Sequence, residues 1–213
     1  MSELYKFDQA IREKEGVINI AGLDEAGRGP LAGPVSSALV VLPASYQNPL
    51  IDDSKKLTDK KRRELLEEIK KVALIYRVIL TPVSTIDEIN ILEADRKGMQ
   101  ECLDYASKKL AIDYVITDYM NLKTDKPLLS IPKGDSTSQA VAAASILAKV
   151  TRDDYMLKLD EKYPQYDFKH NKGYGTKKHL DAIKKYGYIK GVHRLSFEPI
   201  KSMYSGIEQM HLF

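Results

Sequence analysis

Two carboxylates, Asp24 and Glu25, stand side by side directly after the apolar run Ile18 to Leu23 and directly before a glycine-rich turn, Gly27-Arg28-Gly29. An acid pair at the end of a buried strand is costly without a counter-charge, and an oxygen-preferring divalent cation is the usual solution. The turn adds a second capability. Consecutive glycine amides form an anion-binding nest, and Arg28 offers a two-pronged donor to phosphate. Taken alone, the pair reads more readily as solvated acids that begin a turn.

Two further acids bear on the choice. Residues 113–118, DYVITD, form a short apolar segment that ends in Asp118, and Asp135 follows the segment 128–132 within Lys133-Gly134-Asp135-Ser136. If these segments are strands running parallel beside the first, all four acids fall at one carboxyl edge of a sheet, where open α/β sheets place their sites. Two divalent ions roughly 4 Å apart neutralise such a cluster and act on a phosphodiester. Singly, Asp118 also suits a strand-end turn, and Asp135 also suits the positive end of a helix.

The surrounding elements must deliver this convergence. Five strands are expected, over 18–23, 35–42, 74–82, 113–118 and 128–132, from their apolar and β-branched content and the turn residues that bound them. A helix starts near Thr58, with Leu65, Leu66, Ile69 and Val72 on its apolar face. Thr85 and Glu88 stand at capping-box spacing before a helical stretch with a break near Asn90. Ser136 and Gln139 show the same spacing, which sets Asp135 just outside a long helix ending near Tyr163. The middle of that helix, 140–148, is nearly all small residues, so it can lie close against a sheet. A last helix spans about 176–186 and stops at Gly187. Three early strands pairing in hairpins, then strands alternating with helices, give an α/β protein: a mixed five-stranded sheet, helices on both faces, and a C-terminal helical region.

Composition bounds the rest. The chain has 213 residues, 43% apolar and 30% charged, consistent with one compact domain and a solvated surface. A lone Cys102 excludes an internal disulfide framework and a cysteine zinc cluster, and the charged start does not resemble a signal peptide. A reducing, cytoplasmic setting and no membrane span are therefore expected. The net charge is only +3, but between Lys169 and Lys201 nine Lys or Arg, Arg194 among them, face two acids. Interleaved with Tyr174, Tyr186 and Tyr188, this segment suits a polyanion, as does the cluster around Lys55, Lys56 and Arg62; a solvated helix face has the same look.

Read in order, the motifs GLDEAGRGPLAGPV, DDSKKL, ITD, KGDS, AAASILAKVTRD, YPQYDF, HNKGYGT and HRLSF resemble bacterial ribonuclease HII over nearly the whole chain. That resemblance implies a ribonuclease H-like fold and an endonuclease using two divalent ions, Mg2+ or Mn2+. It implies action on RNA–DNA hybrids and on ribonucleotides embedded in duplex DNA, by a monomer. Its acidic tetrad maps on Asp24, Glu25, Asp118 and Asp135, its Gly-Arg-Gly motif on residues 27–29, and its substrate-sensing tyrosine on Tyr174. Lys55, Lys56, Lys184 and Lys185 are the lysines expected to meet substrate phosphates. Asp118 is followed by Tyr119, where family members commonly carry glycine.

The last five residues, 209–213, follow a stretch near Ser205-Gly206 and set apolar side chains at a chain end. Their order, with Gln209, Leu212 and Phe213 as the anchors, resembles the peptide by which bacterial repair proteins dock on the DNA sliding clamp. Residues 1–204 are thus read as the catalytic domain and 205–213 as a tail.

Overall fold

A computed structural model describes residues 2–203. The elements run α1 (Glu3–Glu15), β1 (Ile20–Ala26), β2 (Val35–Val41), α2 (Asp59–Val72), β3 (Ile75–Thr81), α3 (Val83–Ser107), β4 (Tyr114–Asp118), β5 (Leu128–Ile131), α4 (Gln139–Lys162), α5 (Phe168–Asn171) and α6 (Lys177–Tyr186). The sheet order is β3-β2-β1-β4-β5. Strands β1, β2 and β3 pair antiparallel, whereas β1–β4 and β4–β5 are parallel. The five expected strands and their mixed pairing are present. One detail differs: β2 and β3 are joined through α2 and not by a hairpin turn.

Strand alternation distributes side chains to two faces. Ala21 and Leu23 join Leu39, Val41 and Met99 in the core beneath α3. On the other face, Ala38 and Val40 pack with the alanine run of α4 and with Leu65 and Ile69 of α2. A Cβ on Gly22 would lie 2.2 Å from the Ala140 backbone carbon, so the start of α4 rests directly on the β1 backbone. Small residues on α4 are what allow that approach.

Two local readings need correction, and one helix went unread. Helix α4 is capped by Ser138, which accepts from the Val141 N–H. Ser136 instead belongs to a 3-10 turn, Gly134–Ser136, and the Gln139 side chain bonds to the loop before α2: its amide donates to the Tyr46 carbonyl and its oxygen accepts from Asn48 N–H. Tertiary partners outcompeted the local capping box. Helix α3 begins at Val83 after Pro82 without a side-chain cap, so the Thr85–Glu88 pair does not mark its start; the break at Asn90 is real, with φ 66°. Helix α1, for which the sequence reading makes no assignment, is fastened at Asp8, whose buried carboxylate accepts the Ala140 N–H at 3.0 Å. This places an acid at the positive end of α4, the role Asp135 was an alternative candidate for.

Candidate active site

The last β1–β4 register pair is Leu23 with Thr117, so the next residues along both strands, Asp24 and Asp118, emerge side by side at the carboxyl edge. Asp24 lies on the α4 face and Glu25 on the α3 face, since neighbours in a strand point opposite ways. Carboxylate oxygens of Asp24, Glu25 and Asp118 nevertheless all come within 4.8 Å of one another. Asp118 is anchored by the Gly134 N–H, which donates to its Oδ1 at 2.9 Å. That bond carries the chain from the end of β4 to the turn that holds Asp135. Asp135 stands beside the trio, with Lys55 Nζ 3.8 Å from its Oδ2.

Electrostatics mark this group as short of positive charge. Burial, and after it the charges of Glu25 and Asp118, hold Asp24 well above the usual carboxylate range. Burial and then Asp95 push Glu25 up to about 8, with Arg28 opposing. Asp135 is raised by burial and then by Asp53, against Lys55. A Glu25 oxygen, Oε2, is buried without a hydrogen-bond partner. An all-oxygen ligand set with one unsatisfied buried oxygen fits hard divalent ions such as Mg2+ or Mn2+.

The cleft beside the acids, about 390 Å³, is lined by Asp24, Glu25, the Gly27-Arg28-Gly29 turn, Lys55 and Tyr174. Arg28 lies between two carboxylates, its Nη1 3.8 Å from Glu25 Oε1 and its Nε 3.9 Å from Asp95 Oδ2. A Cβ on Gly29 would approach the Tyr174 ring at 3.7 Å, and Tyr174 is about half exposed. The turn and the tyrosine are therefore adjoining walls of one groove. Lys56 instead pairs with Asp52 at 2.9 Å, and Lys184 and Lys185 stand in the last turn of α6, where the Lys185 ammonium lies over the Tyr186 ring.

Sequence reasoning missed the groups that shape the turn. Arg194, counted among the basic surface, is fully buried and donates to the carbonyls of Gly27, Arg28 and Gly33. Arg152, also buried, donates to the carbonyls of Ala32, Pro34 and Lys172. Gly27, at φ 94°, makes room for it, since a Cβ there would fall 1.9 Å from Arg152 Nε. Asp95, fully buried behind Arg28, accepts from Ser37 Oγ at 3.0 Å. The available signal was periodicity: Asp95, Met99, Cys102 and Ala106 share one buried face, as do Ala148, Arg152 and Met156. A charge within an apolar stripe announces a buried partner. The loop after Asp118 also resolves: Tyr119 takes φ 51°, the left-handed conformation that glycine adopts without strain.

The Ribonuclease HII family model matches residues 21–200. The chain belongs to the ribonuclease HII family. It is 47% identical over 201 residues to a Ribonuclease HII of Bacillus cereus (strain AH820), covering 94% of this chain and 77% of that one. Among solved structures it resembles the ribonuclease H2 from Pyrococcus horikoshii OT3, with TM-score 0.76, 25% identity, and 90% and 99% of the two chains covered. It also resembles the RNase HII in the PCNA:RNase HII complex from Archaeoglobus fulgidus, with TM-score 0.67, 26% identity, and 83% and 94% covered. The protein is thus a nuclease with the ribonuclease H-like fold, of a family that cleaves the RNA strand of RNA–DNA hybrids with divalent metals. No helix among the described residues is long and apolar enough to cross a membrane. Gln209, Leu212 and Phe213 lie outside the described residues.

Proposed function

We propose that this ribonuclease HII cleaves both the RNA strand of hybrids and the phosphodiester on the 5′ side of a single ribonucleotide within duplex DNA, leaving 3′-hydroxyl and 5′-phosphate ends. The observation that carries the proposal is the convergence of Asp24, Glu25 and Asp118 within 4.8 Å, at one end of a groove walled by the Gly-Arg-Gly turn and Tyr174. Asp24, Glu25, Asp118 and Asp135 hold two divalent ions, which when bound supply the charge to activate water and to stabilise the leaving oxygen. The backbone of Gly27 and Gly29 approaches the sugar without an intervening side chain and reads the 2′-hydroxyl, the one group that separates RNA from DNA. Tyr174 closes on that sugar, and Arg28 and Lys55 steer the phosphate toward the acids. Lys56, Lys184 and Lys185 contribute phosphate contacts that position a duplex without reading it.

One digestion tests this. A duplex with one embedded ribonucleotide, an RNA–DNA hybrid and an all-DNA duplex are compared with and without Mg2+ or Mn2+. Metal-dependent cuts in the first two alone are expected. Products ending in 2′,3′-cyclic phosphate, or cutting of all-DNA, would overturn the reading; the second outcome is what a transposase-like member of this architecture would give.

We further infer that residues 1–204 act as a monomeric catalytic domain in the cytoplasm and that residues 205–213 dock on a DNA sliding clamp through Gln209, Leu212 and Phe213. Support comes from the tail's residue order and from the Archaeoglobus neighbour, which was solved with PCNA. A titration of clamp against the full chain and against a chain truncated after Ser205 decides it: equal affinity, or none for either, disposes of the idea.

A further inference from the structure

Two fully buried histidines stand next to the groove and take no part in the chemistry above. His179 and His193 meet Nε2 to Nε2 at 3.1 Å, packed against Tyr166 and Phe168. Their outer nitrogens have unambiguous partners. The Ile189 N–H points at His193 Nδ1 at 2.8 Å, so that nitrogen accepts and carries no proton. The Tyr174 carbonyl, which can only accept, lies 2.8 Å from His179 Nδ1, so that nitrogen carries one. Two neutral rings then leave one arrangement for the middle bond: His193 Nε2–H donates to a bare His179 Nε2. An extra proton on either ring would set two donors face to face. Burial lowers the pKa of both groups, in keeping with neutral imidazoles.

The chain of bonds links the two walls of the groove. At one end His193 forms a backbone bridge with Ala32, just beyond the Gly-Arg-Gly turn, and the next residue, Arg194, holds the turn's carbonyls. At the other end is the backbone of Tyr174, whose neighbour Gly173 in turn accepts from the Leu31 N–H. We propose that His179 and His193 are positioning residues for ribose recognition: their directed hydrogen-bond chain fixes the Tyr174 backbone against the Gly27–Gly29 turn, so the ring meets the sugar preformed. This rests on the role given to Tyr174 above. Ordering done in advance is not charged to binding or to the transition state, so losing it lowers the rate at a ribonucleotide even when the fold survives.

The test is a double-mutant cycle read as kcat/KM on a duplex with one embedded ribonucleotide. His179→Leu keeps bulk but removes donor and acceptor; it is expected to lower the rate tenfold or more in the parent and less than twofold in a Tyr174→Ala background. His179→Gln, which restores one donor and one acceptor, is expected to recover most of the loss. Equal losses in both backgrounds would make the pair mere packing and overturn the proposal. A Tyr174→Ala variant as active as the parent would instead remove the role of Tyr174, a distinguishable failure. Should His179→Leu not fold, nitrogen-15 spectra of the parent's imidazoles at neutral pH still decide: opposite neutral tautomers, Nδ1–H at His179 and Nε2–H at His193, are expected, and a charged ring or matching tautomers would refute the chain.

Discussion

The Gly134 amide donates to Asp118 Oδ1 at 2.9 Å, so one acid of the candidate site is held by the residue immediately before another, Asp135. The bond leaves Asp118 Oδ2 for a cation and sets the distance between the end of β4 and the 3-10 turn. Asp118→Asn keeps an acceptor for Gly134 and so keeps the geometry, while the ligand charge is lost. We expect activity to fall by at least about a hundredfold with the fold retained, since even outer-shell partners of a metal cost 10–100-fold. Retained activity in a kinetic assay at saturating Mg2+ would remove Asp118 from the site.

Divalent ions should stabilise the folded chain, because they offset repulsion among Asp24, Glu25 and Asp118. A Tm measured with Mn2+ or Mg2+ present is expected to exceed that in chelator, by a margin growing with the logarithm of ion concentration. In Asp24→Asn the metal-free Tm should rise, since a buried, repelled charge is gone, and the response to metal should shrink. A Tm for that variant that responds to metal like the parent's would contradict this assignment.

The β1–α4 contact makes a sharp stability prediction. Gly22→Ala would put a methyl 2.2 Å from the Ala140 backbone, and backbone cannot step aside as a flexible side chain can. A loss at or above the usual ~1–3 kcal/mol for overpacking is expected in urea unfolding. A loss below about 1 kcal/mol would mean that α4 can lift off the strand freely.

Acid should loosen the His179–His193 pair. Burial first, then His179, pushes His193 down to about 4, below its unfolded value near 6.5. A neutral ring favoured by the fold contributes fully above about 6.5, and its contribution is lost as pH falls from there toward 4, on the order of 3 kcal/mol in all. Asp8 and Glu25, held up at about 6 and about 8, act in the opposite direction, so the comparison must be between parent and His193→Gln. The parent should lose more stability between pH 7 and 5 than the variant; parallel pH curves would refute the claim.

The lysines should separate by position. Lys55, 3.8 Å from Asp135 and on the cleft wall, is expected to affect kcat/KM when changed to alanine. Lys184→Ala and Lys185→Ala should weaken binding to every duplex alike and flatten its salt dependence, because phosphate contacts carry no sequence information. Unchanged salt slopes would reduce the α6 lysines to a solvated face.

Much of this was legible from residue types in order. Strands were readable because β-branched and apolar runs stop at glycine, proline or acid, and the convergence of Asp24, Glu25 and Asp118 followed from parallel neighbours ending at one edge. The alanine run of α4 foretold its approach to Gly22. What only the tertiary structure decided depends on partners distant in sequence. Ser138, not Ser136, caps α4 because Gln139 is drawn to Tyr46 and Asn48, more than ninety positions away. Arg194 looked like surface charge, yet it turns inward because the carbonyls of a sharply bent glycine turn need donors where water cannot reach. Asp95 and His179 likewise acquire meaning only when helices α3 and α6 bring them against Arg28 and Tyr174. Local sequence sets the propensity of an element, whereas a buried polar group is placed by whichever partner the fold carries to it, and that pairing has no local signature.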